Sequence, residues 1–176
     1  TTLFRSKRKY IVADTPGHEE YTRNMATGAS TADIAIILVD AQHGILTQTR
    51  RHSFITSMVG VKKVLLAVNK LDLVNYSEEV YDKIIKEYNK FASNALDIEE
   101  ITPKPISALM GDNVVNKSTN TPWYKGQTIM QYLENVEISN KNLDKSFRMP
   151  VQWVNRPSSD FRGFSGLIAS GSIRVG

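Results

Sequence analysis

Residues 64–72 read Val64-Leu65-Leu66-Ala67-Val68-Asn69-Lys70-Leu71-Asp72, five apolar side chains that pass directly into a polar turn. An unbroken apolar run, unlike an alternating one, predicts a strand covered on both faces, as in a parallel sheet. Ile34 to Val39 has the same character and is followed by Asp40, and Tyr10 to Ala13 is a shorter run before Asp14. The sequence therefore predicts a parallel sheet whose strands end in polar residues.

Helical patterns lie between the predicted strands. The clearest begins after Ser77, a residue type that favours helix N-termini. Its apolar residues recur on one helical face; they are Val80, Tyr81, Ile84, Ile85, Tyr88, Phe91 and Ala92. A short strand at Pro105-Ile106 and a last helix over residues 128–136 complete the pattern. Strands that alternate with helices predict an α/β fold with a doubly wound sheet.

The pattern changes after residue 140. Residues 140–145 are polar, and the apolar residues beyond them alternate with other residues, as in a half-buried antiparallel strand; they are Phe147, Met149, Val151 and Trp153. Further strands are predicted over residues 164–169 and 172–175, between glycine-containing turns. We predict an α/β domain over residues 1–140, then a linker and the first strands of a β-barrel domain over residues 141–176.

The composition excludes several classes of protein. The chain has 176 residues, 41% hydrophobic and 23% charged, which is typical of a soluble globular protein. The basic residues are scattered apart from a short cluster at Arg5 to Lys9, and the formal charge is only +4, so we do not expect a dedicated nucleic-acid surface. Cysteine is absent, which excludes disulfides and thiolate metal sites. No apolar run reaches the roughly 20 residues of a membrane span, and the start at Thr1 suggests a cut through a longer chain.

Three polar motifs follow predicted strands, where ligands bind in open α/β sheets. In Asp14-Thr15-Pro16-Gly17-His18, Asp14 can hold a Mg²⁺-bound water, the N–H of Gly17 can approach a terminal phosphate, and His18 can orient an attacking water. Taken alone, this pentapeptide fits a plain turn better.

In Asn69-Lys70-Leu71-Asp72, the carboxylate of Asp72 can accept hydrogen bonds from guanine N1–H and the exocyclic amine, whereas adenine has no donor at N1. Asn69 can brace neighbouring loops, and the Lys70 stem can lie over the base. A strand-ending turn with a solvated lysine explains the motif equally well in isolation. In Ser107-Ala108-Leu109, the backbone N–H of Ala108 can meet guanine O6.

The order of the three motifs, each at a strand end, matches the third, fourth and fifth guanine-binding motifs of GTPases. The first motif, G-x-x-x-x-G-K-[ST], is absent. Its nearest approach, Gly111 to Ser118, has Asn116 where the second glycine belongs. We therefore expect the phosphate-binding loop and the first switch segment to precede Thr1.

The histidine in the first motif resembles the translation-factor class of GTPases. Within that class, the flanking sequences are similar to those of the large, GTPase subunit of bacterial sulfate adenylyltransferase. The similar stretches are residues 21–30 and 49–55, Gly111-Asp112-Asn113-Val114, Pro122-Trp123-Tyr124-Lys125-Gly126, Asn155-Arg156-Pro157 and Asp160-Phe161-Arg162-Gly163.

This resemblance implies a P-loop-type GTPase that binds GTP and Mg²⁺ in a cytoplasmic heterodimer with a smaller, ATP-binding catalytic subunit. That subunit forms adenylyl sulfate and diphosphate from ATP and sulfate, and GTP hydrolysis drives the reaction. Asp14 supports Mg²⁺ through water, Gly17 senses the γ-phosphate, His18 positions the hydrolytic water, and the other two motifs hold guanine. Neither a nucleic acid nor a membrane is an expected partner. Two alternatives stay open, namely a translation factor that binds RNA and a non-catalytic interaction fragment.

Overall fold

The computed structural model describes residues 2–4, 8–15, 22–138 and 144–175. The chain forms two compact units, residues 1–136 and 137–176. The elements in chain order are β1 (Thr2–Phe4), β2 (Lys9–Ile11), α1 (Thr22–Ala29), β3 (Ile34–Asp40), α2 (Thr47–Met58), β4 (Lys63–Asn69), α3 (Glu78–Ala95), β5 (Glu100–Pro105), α4 (Ile129–Asn135), β6 (Trp153–Asn155) and β7 (Gly163–Ser165).

The centre of the first unit is a parallel sheet in the order β3-β4-β5. Asp40 pairs with Asn69, and Val68 pairs with Pro105, so the carboxyl ends of the three strands lie at one level. The run from Val64 to Val68 is completely buried, as its unbroken apolar character predicts. The predicted α/β fold is confirmed, and the loops after β4 and β5 leave the sheet side by side.

Helices cover both faces of β4. Tyr81, Ile84 and Tyr88 of α3 belong to one core cluster with Val64, Leu66 and Val68, whereas Ile129 and Tyr132 of α4 pack with Leu65 and Ala67. Alternate strand residues point to opposite faces, which explains the division. The hydroxyl of Ser77 accepts a hydrogen bond from the N–H of Val80 and caps α3 at its predicted start. Both helices thereby fix the strand from which the polar loops emerge.

Three strands of the first unit differ from the sequence prediction. On β3, Ile36 is 46% and Leu38 is 62% exposed, so the expectation that this run is covered on both faces is wrong. β2 pairs antiparallel with β1, and Ile11 is 80% exposed, so the expectation that this run is covered on both faces is wrong. β5 begins at Glu100, five residues before the predicted strand. The sequence did not predict its first residues, because charged residues interrupt the apolar pattern and prolines 103 and 105 ordinarily argue against a strand. The structure accommodates both at the edge of the described sheet.

The second unit contains a short antiparallel pair, β6 and β7. The strand predicted over residues 164–169 is limited to Gly163–Ser165, and residues 172–175, which the structure describes, form no strand. Trp153 and Phe164 are exposed within this unit. Its assignment as the start of a β-barrel domain stays a prediction. None of the described helices is long and apolar enough to cross a membrane.

Candidate functional site

Asn69 is the last residue of β4 and joins the two predicted base-binding loops. Its Oδ1 accepts hydrogen bonds from the N–H of Lys70 at 2.8 Å and from the N–H of Ala108 at 2.9 Å. The parallel register makes this possible, because β4 and β5 end at the same level. The predicted role of Asn69 as a brace between loops matches this geometry.

Lys70 begins the turn after β4 in the left-handed region, with φ at 63°. Its Nζ lies 2.7 Å from Oδ2 of Asp40, the last residue of β3, which also accepts a hydrogen bond from the N–H of Gln42. Burial raises the pKa of Asp40, but the hydrogen bonds from Lys70, Gln42 and His43 outweigh it and hold that pKa below its usual value. An ionised Asp40 therefore holds the Lys70 side chain at the strand ends.

Asp72 lies on a 3-10 turn, Leu71–Val74. The Leu71 side chain is completely buried, and its N–H donates to the carbonyl of Ile106 at 3.3 Å, which ties the turn to the chain just after β5. Oδ1 of Asp72 is buried and has no hydrogen-bond partner in the described part of the chain. A buried carboxylate oxygen without a donor is costly. Donors such as the N1–H and amine of guanine suit this carboxylate.

Ser107, Ala108 and Leu109 form the start of the loop after β5. Ser107 is fully buried and accepts a hydrogen bond from the N–H of Met110, whereas Leu109 is 87% exposed. The N–H of Ala108, predicted to meet guanine O6, donates here to Asn69. For that N–H to contact a base, it must be shared with Asn69 Oδ1 or exchanged from it.

The remaining predicted site residues lie in the segment after β2. Asp14 is exposed, and Thr15 is half-buried. A Cβ added to Gly28 of α1 would lie 3.1 Å from Cγ2 of Thr15, so the glycine lets α1 approach this segment closely. Pro16, Gly17 and His18, including the predicted catalytic histidine, lie outside the described residues.

Residues 1–143 match the family of the elongation factor Tu GTP binding domain. The chain belongs to this family. Membership supports GTP binding and agrees with the fold and with the two loops that Asn69 joins.

Several proteins are close relatives of this chain. The chain is 62% identical to sulfate adenylyltransferase subunit 1 of Pseudoalteromonas atlantica, over 97% of this chain and 36% of that protein. It is 57% identical to the bifunctional enzyme NodQ of a Rhizobium species, over 97% of this chain and 27% of that protein. The chain thus spans about a third of these curated relatives or less. The resemblance seen in the flanking sequences is confirmed.

Among solved structures, sup35 complexed with GMPPNP matches with a TM-score of 0.66 at 24% identity, over 98% of this chain and 42% of that one. At this identity the likeness shows the fold alone.

Sequence reasoning gave no site role to Tyr76, Asp112 and Trp123. Nε1 of Trp123 donates to the carbonyl of Tyr76 at 3.1 Å, and the Trp123 ring lies 5.2 Å from the ring of Tyr81. These contacts make Trp123 part of a packed loop. The only signal in the sequence was the resemblance of the flanks that contain Asp112 and Trp123.

Proposed function

We propose that this chain is the guanine-nucleotide-binding part of a sulfate adenylyltransferase GTPase subunit. The observation that carries the proposal is the pairing of the two predicted base-binding loops, in which Oδ1 of Asn69 accepts hydrogen bonds from the N–H groups of Lys70 and Ala108. Base selectivity follows, because guanine supplies two donors to the Asp72 carboxylate and adenine lacks the one at N1.

In this proposal, the first motif, Asp14 to His18, carries out GTP hydrolysis. Asp14 would support Mg²⁺ through a water, since Mg²⁺ retains most of its hydration shell and binds few carboxylates directly. Gly17 would contact the γ-phosphate through its N–H, and His18 would hold the attacking water in line. Positioning suits His18 better than proton abstraction, because phosphoryl transfer to water has a loose transition state.

The proposal also names a partner subunit and the reaction that GTP hydrolysis would drive. A small ATP-binding subunit would form adenylyl sulfate and diphosphate from ATP and sulfate, as a cytoplasmic heterodimer in sulfate assimilation. A phosphosulfate anhydride is an unfavourable product, so coupling to GTP hydrolysis suits the chemistry. The name of the Pseudoalteromonas atlantica relative, sulfate adenylyltransferase subunit 1, supports this assignment.

The test uses the full-length protein with its small subunit. Radiolabelled GTP hydrolysis and adenylyl sulfate release are measured together, with and without ATP and sulfate. Wild-type GTP turnover should accelerate when the small subunit, ATP and sulfate are all present. His18→Ala should abolish coupled turnover while largely sparing GTP affinity, because its contact arises in the transition state.

His52→Ala is the matched control, since His52 is a half-buried residue of α2 outside all three motifs. Wild-type coupled turnover in His18→Ala would remove His18 from the mechanism. GTP turnover that ignores ATP and sulfate but responds to ribosomes would replace the assignment with a translation factor.

A further inference from the structure

A second contact joins the two base-binding loops. The hydroxyl of Tyr76 donates to Oδ2 of Asp112 at 2.7 Å. Tyr76 follows the turn that carries Asp72, and Asp112 follows the loop that begins at Ser107. The bond therefore links the same two loops as the Asn69 bridge, through a different pair of residues.

The backbone at Tyr76 is set in an unusual conformation. Asn75 and Tyr76 have φ values of 52° and 54°, a left-handed conformation that is unfavourable for residues with a Cβ. Three hydrogen bonds hold Tyr76 there: its N–H donates to the carbonyl of Leu71 at 2.8 Å, its carbonyl accepts from Trp123, and its hydroxyl binds Asp112. A strained turn with three separate anchors is over-determined, as expected of a residue that fixes a neighbouring site.

Asp112 is coupled equally firmly to Ser107. The N–H of Asp112 donates to the carbonyl of Ser107 at 3.0 Å, and the N–H of Ser107 donates back at 3.3 Å. Burial raises the pKa of Asp112, but hydrogen bonds from Ser118, Tyr76 and Asn120 outweigh it and leave that pKa lowered. Asp112 is therefore an ionised acceptor, and charge-assisted hydrogen bonds of this kind are the stronger ones.

Asp72 lies within electrostatic range of this contact. The pKa of Tyr76 is raised first by its hydrogen bond to Asp112, then by burial and by the charges of Asp112 and Asp72. Asp72 lies four residues before Tyr76 in the chain, so a shift of the Tyr76 anchor moves the segment that carries the carboxylate assigned to the base.

We propose that the Tyr76–Asp112 hydrogen bond is a second brace that fixes the separation between Asp72 and the Ser107–Leu109 loop and thereby sets the selectivity for guanine. A single bridge at Asn69 leaves the loops free to hinge about it, whereas a second bond between other residues of the two loops removes that freedom. Tyr76 and Asp112 are positioning residues. The inference rests on the guanine site proposed above.

The test measures the affinities of the full-length protein for GDP and for inosine diphosphate, which lacks the exocyclic amine. Tyr76→Phe keeps the ring and removes the brace. GDP affinity should fall about tenfold and inosine diphosphate affinity about threefold, the size of effect expected when a charged hydrogen bond is lost. The ratio of the two affinities should therefore fall about threefold. General destabilisation would lower both affinities equally and leave the ratio unchanged.

Tyr124→Phe is the matched control, because it removes a hydroxyl that donates to the carbonyl of Gln127 at 2.9 Å, and its ratio should equal that of the wild type. Asp112→Ala should lower the ratio at least as far as Tyr76→Phe, because it also removes the acceptor for Ser118 and Asn120. Asp112→Asn keeps an oxygen acceptor and should recover at least half of the lost selectivity on a logarithmic scale. The double variant Tyr76→Phe/Asp112→Ala should lose no more selectivity than Asp112→Ala alone.

An unchanged ratio in Tyr76→Phe, or additive losses in the double variant, would overturn the brace while leaving the guanine site intact. A wild-type protein without preference for GDP over inosine diphosphate would overturn the guanine site itself. If Tyr76→Phe fails to fold, as judged by circular dichroism, the comparison of Asp112→Asn with Asp112→Ala decides the matter.

Discussion

Replacement of Asp72 by asparagine tests base recognition most directly. The carboxylate can accept from guanine N1–H and from the exocyclic amine, and its Oδ1 has no donor within the described residues. Asparagine keeps one oxygen acceptor but places an amide donor against the amine. One charge-assisted hydrogen bond is lost and the other becomes neutral, which together amount to about 3 kcal/mol. GTP affinity should therefore fall on the order of 100-fold.

The same variant should gain affinity for XTP. Xanthine presents a carbonyl where guanine has its amine, so the introduced side-chain amide donates to it while the wild-type carboxylate repels it. Competition of GTP and XTP against a fluorescent guanine nucleotide measures both affinities in the full-length protein. Asp82→Asn, an exposed carboxylate on α3, is the control. Unchanged affinities for both nucleotides in Asp72→Asn would refute the assignment of Asp72 to the base.

Three further predictions concern the sheet and its loops. Burial lowers the pKa of Lys104 from 10.5 to about 8, so the folded state loses this proton first and stability should rise by about 1 kcal/mol between pH 7.5 and 9.5, after allowance for solvent screening. Lys104→Met should flatten that rise in thermal melts of the full-length protein. Asn69→Ala removes both bonds of the loop bridge and should weaken GDP binding at least tenfold in titrations, whereas Asn94→Ala on the outer face of α3 should not. Tyr88→Phe removes a buried hydrogen bond to Ser53 and should lower the free energy of unfolding in urea by about 1 kcal/mol without changing GDP affinity.

The sequence predicted the elements that bury apolar side chains. β4 and α3 were clear because every residue from Val64 to Val68 is buried and the buried residues of α3 share one face. The bounds of α2 were not predicted, because its buried residues are Thr49, Ser53 and Thr56. Small polar residues bury well when they hydrogen-bond locally, as Ser53 does to the carbonyl of Thr49, but they give no apolar periodicity.

Part of the candidate site could likewise be predicted from the sequence and part could not. Asn69 and Asp72 could be recognised because the chemistry of a guanine edge demands particular side chains at a strand end. The contact of Tyr76 with Asp112 could not, because it depends on two consecutive left-handed residues that are not glycine. Residue type alone gives little warning of such a turn. The bond joins residues 36 positions apart, and only the folded chain shows that they meet.

Because the three strands end at one level, the base-binding loops leave the sheet at one end, and the opposite end is open to modification. The turns that precede β4 and β5 include Gly60 and residues 96–99. They lie at the amino ends of the strands, away from Asn69 and Ala108. Exposed residues in these turns offer attachment points for a fluorophore or a short peptide tag. Because β4 is packed on both faces, a label there can follow the protein in a binding assay without altering the loops whose affinity is being measured.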